Sequence, residues 1–213
     1  MSAALTAEQS TEKTLARLRS ATGPIDQART FFYDPRFQAI AVKVQPGEFY
    51  VDREGLMLST VLGSCVAACL YDSTSRLGGM NHFMVPDGDE SSGRFGLFAM
   101  EQLVNSLVKQ GAIRSRLQAK IFGGGSVIPG MASGRIGERN VSFVQAFLQR
   151  EGIPVISSDV LGNWPRKLLF FGTDGRAMVK KLSTPQTAEQ ELERKLAERA
   201  KAVVRKGGDV ELF

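Results

Sequence analysis

The stretch LGSCVAACLYDSTSRLGGMNHFMVP, residues 62–86, predicts two neighbouring strands joined by a short turn. Within it, 66–71 (VAACLY) is an unbroken apolar run of strand length, Asp72–Arg76 collects turn-forming residues, and Met80–Val85 is again strand-like. A short connection suits antiparallel pairing, whereas parallel strands need a crossover of about a dozen residues or more. The stretch therefore predicts an antiparallel pair of strands.

The chain on either side of this pair alternates strand-like and helix-like segments. Strands are predicted at 38–44, 49–51, 56–62, 119–122, 155–158, 167–171 and 177–181, and amphipathic helices at 95–110 and 140–150. Together these segments predict an α+β fold, a layered sandwich of mostly antiparallel strands with two flanking helices.

Three parts are predicted along the chain. Residues 1–30 are polar and rich in alanine, and we expect them to form a flexible N-terminal extension, either a loose helix or a disordered tail. Residues 31–186 hold the sandwich. Residues 187–213 begin with a capping box formed by Thr187 and Gln190, which predicts a C-terminal helix followed by a short tail.

Composition narrows the class of protein. The 213 residues, 43% of them hydrophobic, suit one domain with tails. The sequence contains no apolar run of about 18 residues, so we expect no transmembrane helix. The net charge of +5 favours acidic partners, but the basic residues are dispersed and lack interleaved aromatics, so nucleic acid is not expected. Two cysteines four positions apart form no disulfide framework, and the N-terminus lacks a secretory apolar region. We therefore expect a cytoplasmic protein.

The central stretch holds a candidate catalytic pair, Cys65 and His82, the latter being the only histidine of the chain. A thiol becomes a strong nucleophile as thiolate, and a nearby imidazole is a common way to generate one at neutral pH. The small residues Gly63 and Ser64 leave the backbone N–H groups before the cysteine open to approach, which suits an oxyanion site. Gly79 is a further candidate for shaping the site around the histidine.

Two other kinds of site are weighed and not adopted. Cys65, Cys69 and His82 lack zinc-knuckle spacing and a fourth ligand, so we expect no metal and assign Cys69 to the core. The run FGGGS at 122–126 lacks the lysine of a phosphate loop and the full dinucleotide-binding pattern, and therefore predicts a tight turn near the site. No cofactor is expected.

The central motifs resemble a known family. STVLGSCVAACLYD followed by LGGMNHFMVP is similar to the signature of CheD, the chemoreceptor glutamine deamidases of bacterial chemotaxis. Three further motifs agree in order: AKIFGGGSVI at 119–128, IGERNVSFVQAFLQREGIPVISSDVLG at 136–162 and RKLLFFGTDGRAMVKKL at 166–182. The resemblance covers about residues 37–182 and implies a fold shared with bacterial deamidating toxins.

The resemblance also implies a reaction and its partners. Cys65 would attack the side-chain carbonyl carbon of a glutamine, and His82 would take the thiol proton and pass it to the departing ammonia. The substrates would be the cytoplasmic helices of chemoreceptors, with a CheC-type phosphatase as a further partner. A non-catalytic chemotaxis adaptor and a cysteine protease or general amidase are the alternatives, and ammonia release without backbone cleavage separates deamidation from proteolysis.

The resemblance implies a third catalytic residue, a threonine upstream of the cysteine. At the family's spacing this sequence has Ser59, whereas the threonine, Thr60, stands one position later. Successive residues of a strand face opposite sides, so only one of these hydroxyls can reach His82. Both stay candidates at this point.

Overall fold

The computed structural model of the protein describes residues 2–85, 92–127 and 133–183, a range that excludes the predicted C-terminal helix. Its helices are α1 (Ser2–Ser20), α2 (Ser92–Lys109) and α3 (Ser133–Arg150), with one 3-10 turn at Arg114–Arg116. Its strands are β1 (Thr30–Asp34), β2 (Ala39–Lys43), β3 (Phe49–Asp52), β4 (Met57–Leu62), β5 (Val66–Asp72), β6 (Leu77–Asn81), β7 (Gln118–Gly123), β8 (Val155–Val160), β9 (Arg166–Phe171) and β10 (Ala177–Lys181).

The strands form two five-stranded sheets. One sheet has the order β1-β2-β4-β9-β10 and the other the order β3-β6-β5-β7-β8. The pairs β2–β4 and β7–β8 are parallel, and the other neighbours are antiparallel. The predicted α+β sandwich of mostly antiparallel strands is confirmed.

Strand β5 shows how the layers are built. Its residues Val66, Ala68 and Leu70 lie in a core shared with α2 and α3, whereas Ala67 and Cys69 lie in the core between the two sheets. This alternation follows from the period of two along a strand. Because both faces of β5 are buried, its sequence is apolar throughout.

The N-terminal segment differs from the flexible extension expected over residues 1–30. Residues of α1 are helical, and Leu15 and Leu18 are buried in the core between the sheets, near Phe31 of β1. The two leucines stand three positions apart and therefore share one helix face. The side chain of Arg19 adds a 3.1 Å hydrogen bond to the carbonyl oxygen of Phe31.

Strand β6 is shifted from its prediction. It covers Leu77–Asn81 and ends just before His82, whereas the prediction began at Met80 and included the histidine. Glycine weakens strand propensity, so the sequence pattern does not indicate a strand at Gly78 and Gly79. In the structure a Cβ on Gly79 would lie 2.7 Å from the Tyr50 carbonyl oxygen, so the glycine lets β3 and α2 approach this strand.

Candidate active site

The register of β5 and β6 brings Cys65 and His82 to one face. Beyond the end of β6, Val66 and Phe83 exchange both backbone hydrogen bonds, at 3.0 and 2.9 Å. Continuing this register places His82 opposite Ala67, diagonally across from Cys65, at the spacing of roughly 7 Å typical of diagonal neighbours. Cys65 is 0% exposed and His82 is 2% exposed, so the pair lies inside the sandwich.

The structure brings Thr60, and not Ser59, to the histidine. The Thr60 Oγ1 lies 2.8 Å from the Nδ1 atom of His82 and 2.7 Å from the carbonyl oxygen of Val44. Leu58, two positions before Thr60, faces the core between the sheets, and the alternation of β4 puts Ser59 on the opposite face. Threonine is thus the third group of the cluster although it stands one position later than the resemblance implies.

The hydrogen bonds of Thr60 determine the tautomer of His82. The carbonyl of Val44 can only accept, so the single hydroxyl proton of Thr60 is donated to it. The hydroxyl oxygen then accepts from Nδ1, which must carry the ring proton. The Nε2 atom is left as an unprotonated base, and it is a buried atom without a hydrogen-bond partner.

The surroundings of His82 keep the ring neutral. Burial lowers the pKa of His82 to about 4, and the nearby positive charge of Lys43 acts in the same direction. The hydrogen bond to the Val44 carbonyl opposes this shift, but burial outweighs it. At neutral pH the imidazole is therefore unprotonated and able to accept a proton.

The FGGGS run lies near the site, but it is the end of β7 followed by an irregular segment and not the tight turn that was expected. The backbone N–H of Gly124 donates to the carbonyl of Cys65, and that of Gly125 donates to the carbonyl of Gly63, each at 2.7 Å. Gly123 has a φ of +108°, a conformation that L-residues with a side chain rarely adopt. The run therefore supports the backbone around Cys65.

The peptide units before Cys65 have a fixed orientation. The carbonyl of Gly63 is held by Gly125, and the carbonyl of Ser64 accepts a 2.8 Å bond from the Asn140 side chain. In a trans peptide the N–H points opposite to the C=O. The N–H groups of Ser64 and Cys65 therefore point away from these two supports.

Gly79 does not shape the space around His82, which corrects that expectation. It lies on the face of β6 that packs against α2, where a Cβ would stand 2.9 Å from the Leu103 side chain. His82 and Cys65 lie on the opposite side of this sheet. The glycine serves packing, because only a residue without a side chain fits beneath the helix.

Two buried polar residues near the site were missed by sequence reasoning. Asn140 of α3 bonds to backbone atoms on both sides of the Cys65–His82 pair. Arg166 of β9 is 0% exposed, and its guanidinium donates to the carbonyl oxygens of three residues, Gly123, Asp159 and Leu161. Both residues stand within motifs that carry the family resemblance, but each has a charged neighbour in the sequence, so residue type does not indicate that either is buried.

Cys69 packs in the core between the sheets, as predicted. It is buried, forms no disulfide, and burial raises the pKa of its thiol far above the ordinary value. Among the described residues, no cluster of three or more His, Cys, Asp or Glu side chains could hold a metal ion. Within the same ranges, no helix has the length and apolarity needed to cross a membrane.

Comparisons with known proteins agree on one family. Residues 84–181 match the model described as CheD chemotactic sensory transduction. The chain is 49% identical over 191 residues to "Probable chemoreceptor glutamine deamidase CheD 1" of Albidiferax ferrireducens, covering 88% of this chain and 81% of that protein. A protein of the same name from Shewanella oneidensis is 47% identical over 192 residues, covering 85% and 92%. "Probable chemoreceptor glutamine deamidase CheD" of Saccharophagus degradans is 42% identical over 214 residues, covering 95% and 98%.

Proposed function

This chain belongs to the CheD family, and we propose that it deamidates glutamine side chains of chemoreceptors with Cys65 as nucleophile. The observation that carries the residue assignment is the chain of contacts from Val44 through Thr60 to His82. It leaves an unprotonated, buried Nε2 on the same side of the sheet as Cys65. This is the arrangement that a cysteine hydrolase needs.

The first half of the reaction forms a thioester. His82 Nε2 takes the Cys65 proton while the sulfur attacks the glutamine carbonyl carbon. The pKa of His82 is lowered to about 4, so a separate imidazolium would be costly in the closed site, and proton transfer is coupled to attack. Thr60 Oγ1 and the Val44 carbonyl face Nδ1–H and stabilise the ring while it is charged. The proton then leaves with ammonia.

The second half of the reaction hydrolyses the thioester and leaves a glutamate residue in the receptor. A water molecule gives a proton to His82, attacks the thioester carbon and restores the Cys65 thiol. Both tetrahedral intermediates carry an oxyanion, for which the N–H groups of Ser64 and Cys65 are the candidate donors, with Gly63 leaving access to them. The product differs from the substrate by one negative charge.

The test is the intact mass of helical receptor fragments after incubation with the protein. We expect an increase of about one dalton per glutamine, because NH2 is replaced by OH. Cys65→Ser should abolish the increase, whereas Cys69→Ser, which removes the other buried thiol, should retain it. Equal loss in two folded variants would contradict the assignment of the nucleophile.

A separate measurement distinguishes the enzyme from a non-catalytic adaptor. Iodoacetamide should alkylate Cys65 faster than Cys69 at neutral pH, and His82→Ala should slow alkylation of Cys65. An adaptor would bind receptor fragments without a mass change and with two equally unreactive thiols. Cleaved fragments would indicate a protease.

The finer partner and location assignments rest on the family resemblance. We propose a CheC-type phosphatase as an additional partner and the cytoplasm as the site of action. Co-purification of the chain with a CheC-type protein from the same cell tests the first assignment, and the absence of a complex at micromolar concentrations would contradict it.

A further inference from the structure

We propose that Asn140 is a positioning residue that holds the Cys65 and His82 segments at a fixed separation, an inference that rests on the proposed function. The Asn140 side chain is 0% exposed. Its Oδ1 accepts a 2.7 Å bond from the backbone N–H of Val85, and its Nδ2 donates a 2.8 Å bond to the carbonyl oxygen of Ser64. One amide thus joins the residue before Cys65 to the segment after His82.

The register of the strands shows what this amide replaces. Val66 and Phe83 form a hydrogen-bonded pair at the end of the β5–β6 ladder. In an antiparallel ladder the next such pair lies two residues on, which is Ser64 opposite Val85. There Val85 N–H would bond directly to the Ser64 carbonyl, but the Asn140 amide stands between the two and bonds to each.

The inserted amide has a geometric consequence. Two hydrogen bonds in series, with an amide group between them, span a wider gap than the single bond of about 2.9 Å in a regular ladder. The strands therefore separate at the residue pair that includes Cys65, while Val66 and Phe83 remain paired beside it. The separation leaves unchanged the register that aligns Cys65 with His82.

The packing of α3 lets Asn140 reach this position. Gly137 lies one helical turn earlier on the same face, and a Cβ there would stand 2.2 Å from the Gly124 carbonyl oxygen. The helix therefore packs backbone to backbone against the segment after β7 that supports Cys65. Because both partners of the Asn140 amide are buried backbone atoms, losing the amide would leave them unsatisfied.

The test uses Asn140→Asp, which keeps the size of the side chain and the acceptor for Val85. At neutral pH its second oxygen would face the Ser64 carbonyl and repel it. We expect kcat on a receptor fragment to fall at least tenfold with KM unchanged. As the pH is lowered and the aspartate takes up a proton, it becomes a donor again, so the ratio of variant to wild-type kcat should rise.

The matched control is Asn81→Asp, since Asn81 is also buried and also joins a backbone N–H, that of Ala68, to a carbonyl, that of Ala99. Its amide lies on the α2 side of the sheet. Asn81→Asp should lose stability while its kcat per folded molecule stays within about threefold of wild type. A wild-type kcat in Asn140→Asp, or an equal loss in both variants, would overturn the inference.

A measurement on the unaltered protein covers the case in which Asn140→Asp does not fold. Hydrogen exchange should be slow at both the Val85 backbone amide and the Asn140 side-chain amide. Rapid exchange of the Asn140 protons would show that the amide does not bridge the strands. Failure of the proposed function itself is distinguishable, since the wild-type protein would then release no ammonia from the fragment.

Discussion

At the scale of residues, the Thr60 hydroxyl donates its one proton to the Val44 carbonyl and therefore accepts a hydrogen bond from His82. Thr60→Val keeps the shape of the side chain but removes the acceptor for His82 Nδ1–H. We expect kcat to fall by about ten- to a hundredfold, the equivalent of an orienting hydrogen bond of about 1–3 kcal/mol. Thr60→Ser should recover most of the rate, and Ser59→Ala, on the other face of β4, should leave it unchanged. Deamidation of a receptor fragment measures all three; equal rates in Thr60→Val and wild type would contradict the orienting role.

The buried imidazole also predicts how stability depends on pH. In the unfolded chain the histidine pKa has its ordinary value of 6.5, and in the folded protein burial lowers it to about 4. Between these values the unfolded state binds the extra proton, so stability contributed by this residue is complete above pH 6.5 and is lost as the pH falls toward 4. The contribution is about 3 kcal/mol.

Urea unfolding between pH 7.5 and 4.5, about the range of that titration, measures this contribution. Carboxylates titrate in the same range, so the comparison is with His82→Gln, whose stability should change less with pH. Parallel pH profiles of the two proteins would show that the imidazole of His82 titrates normally in the folded state.

The sequence predicted Cys65 and His82 but could not choose between Ser59 and Thr60. Strand β4 is buried on both faces, with Met57 in one cluster and Leu58 in another, so its apolar pattern does not reveal which face is which. Asn140 was missed for a different reason. It bonds to backbone atoms 55 and 76 positions away along the chain. Because almost every residue has these backbone groups, the residue types of the partners do not reveal the contact.

At the scale of elements, Arg166 joins the start of β9 to the end of β7, which lies beside Cys65. Its guanidinium bonds to the carbonyls of Gly123 at 3.3 Å, of Asp159 and of Leu161, and forms a 3.0 Å ion pair with the Asp159 carboxylate. Arginine is suited to this role because its planar group offers several donors in fixed directions, whereas lysine is a single point charge.

We therefore expect Arg166→Lys to destabilise the protein by about 3 kcal/mol, the magnitude of a broken buried charge network. Deamidation per folded molecule should fall as well, because the segment at the end of β7, which bonds to the Cys65 carbonyl, loses its support. Arg176 is the control, since it is exposed, pairs with Asp174 at 3.7 Å and stacks on Phe171. Arg176→Lys should change stability by less than about 1 kcal/mol. Chemical denaturation measures the stability of the two variants, and similar losses of stability would contradict a specific role for Arg166.

At the scale of the whole molecule, local signals predicted most elements but not their arrangement. The turn at 173–176 was predicted from residue type, and there the Asp174 side chain accepts from the Arg176 N–H at 2.8 Å. The parallel pairing of β2 with β4 joins strands that are not successive, and the parallel pairing of β7 with β8 is made by a crossover through α3. These partners are set by packing of the two sheets. The buried face of α1 was missed because the composition of this segment resembles that of a polar tail. Strand β1 was missed although its aromatic residues favour a strand.

The two ends of the chain are expected to contribute differently to the fold. Helix α1 places Leu15 and Leu18 in the core between the sheets, and each buried leucine contributes roughly 1.5–3 kcal/mol. Its Arg17–Glu54 ion pair is exposed and adds little. Deleting residues 1–20 should therefore lower the free energy of unfolding by several kcal/mol and uncover Phe31. Unchanged denaturation would show that α1 does not pack in solution.

Deleting residues 187–213 is expected to weaken recruitment of the protein to receptors and to leave its stability unchanged. This segment lies outside the described residues, and in the sequence its apolar stripe is narrow and contains alanine, which predicts weak burial. The last five residues, Asp209–Phe213, alternate acidic and apolar side chains, and we interpret them as a docking peptide on an arm that raises its local concentration. Turnover of a soluble receptor fragment should stay near wild type, while deamidation of receptors in a full membrane array should slow. Loss of fragment turnover, or unfolding, would place the segment in the catalytic domain, because a tethered docking peptide adds nothing to a reaction with a freely diffusing substrate.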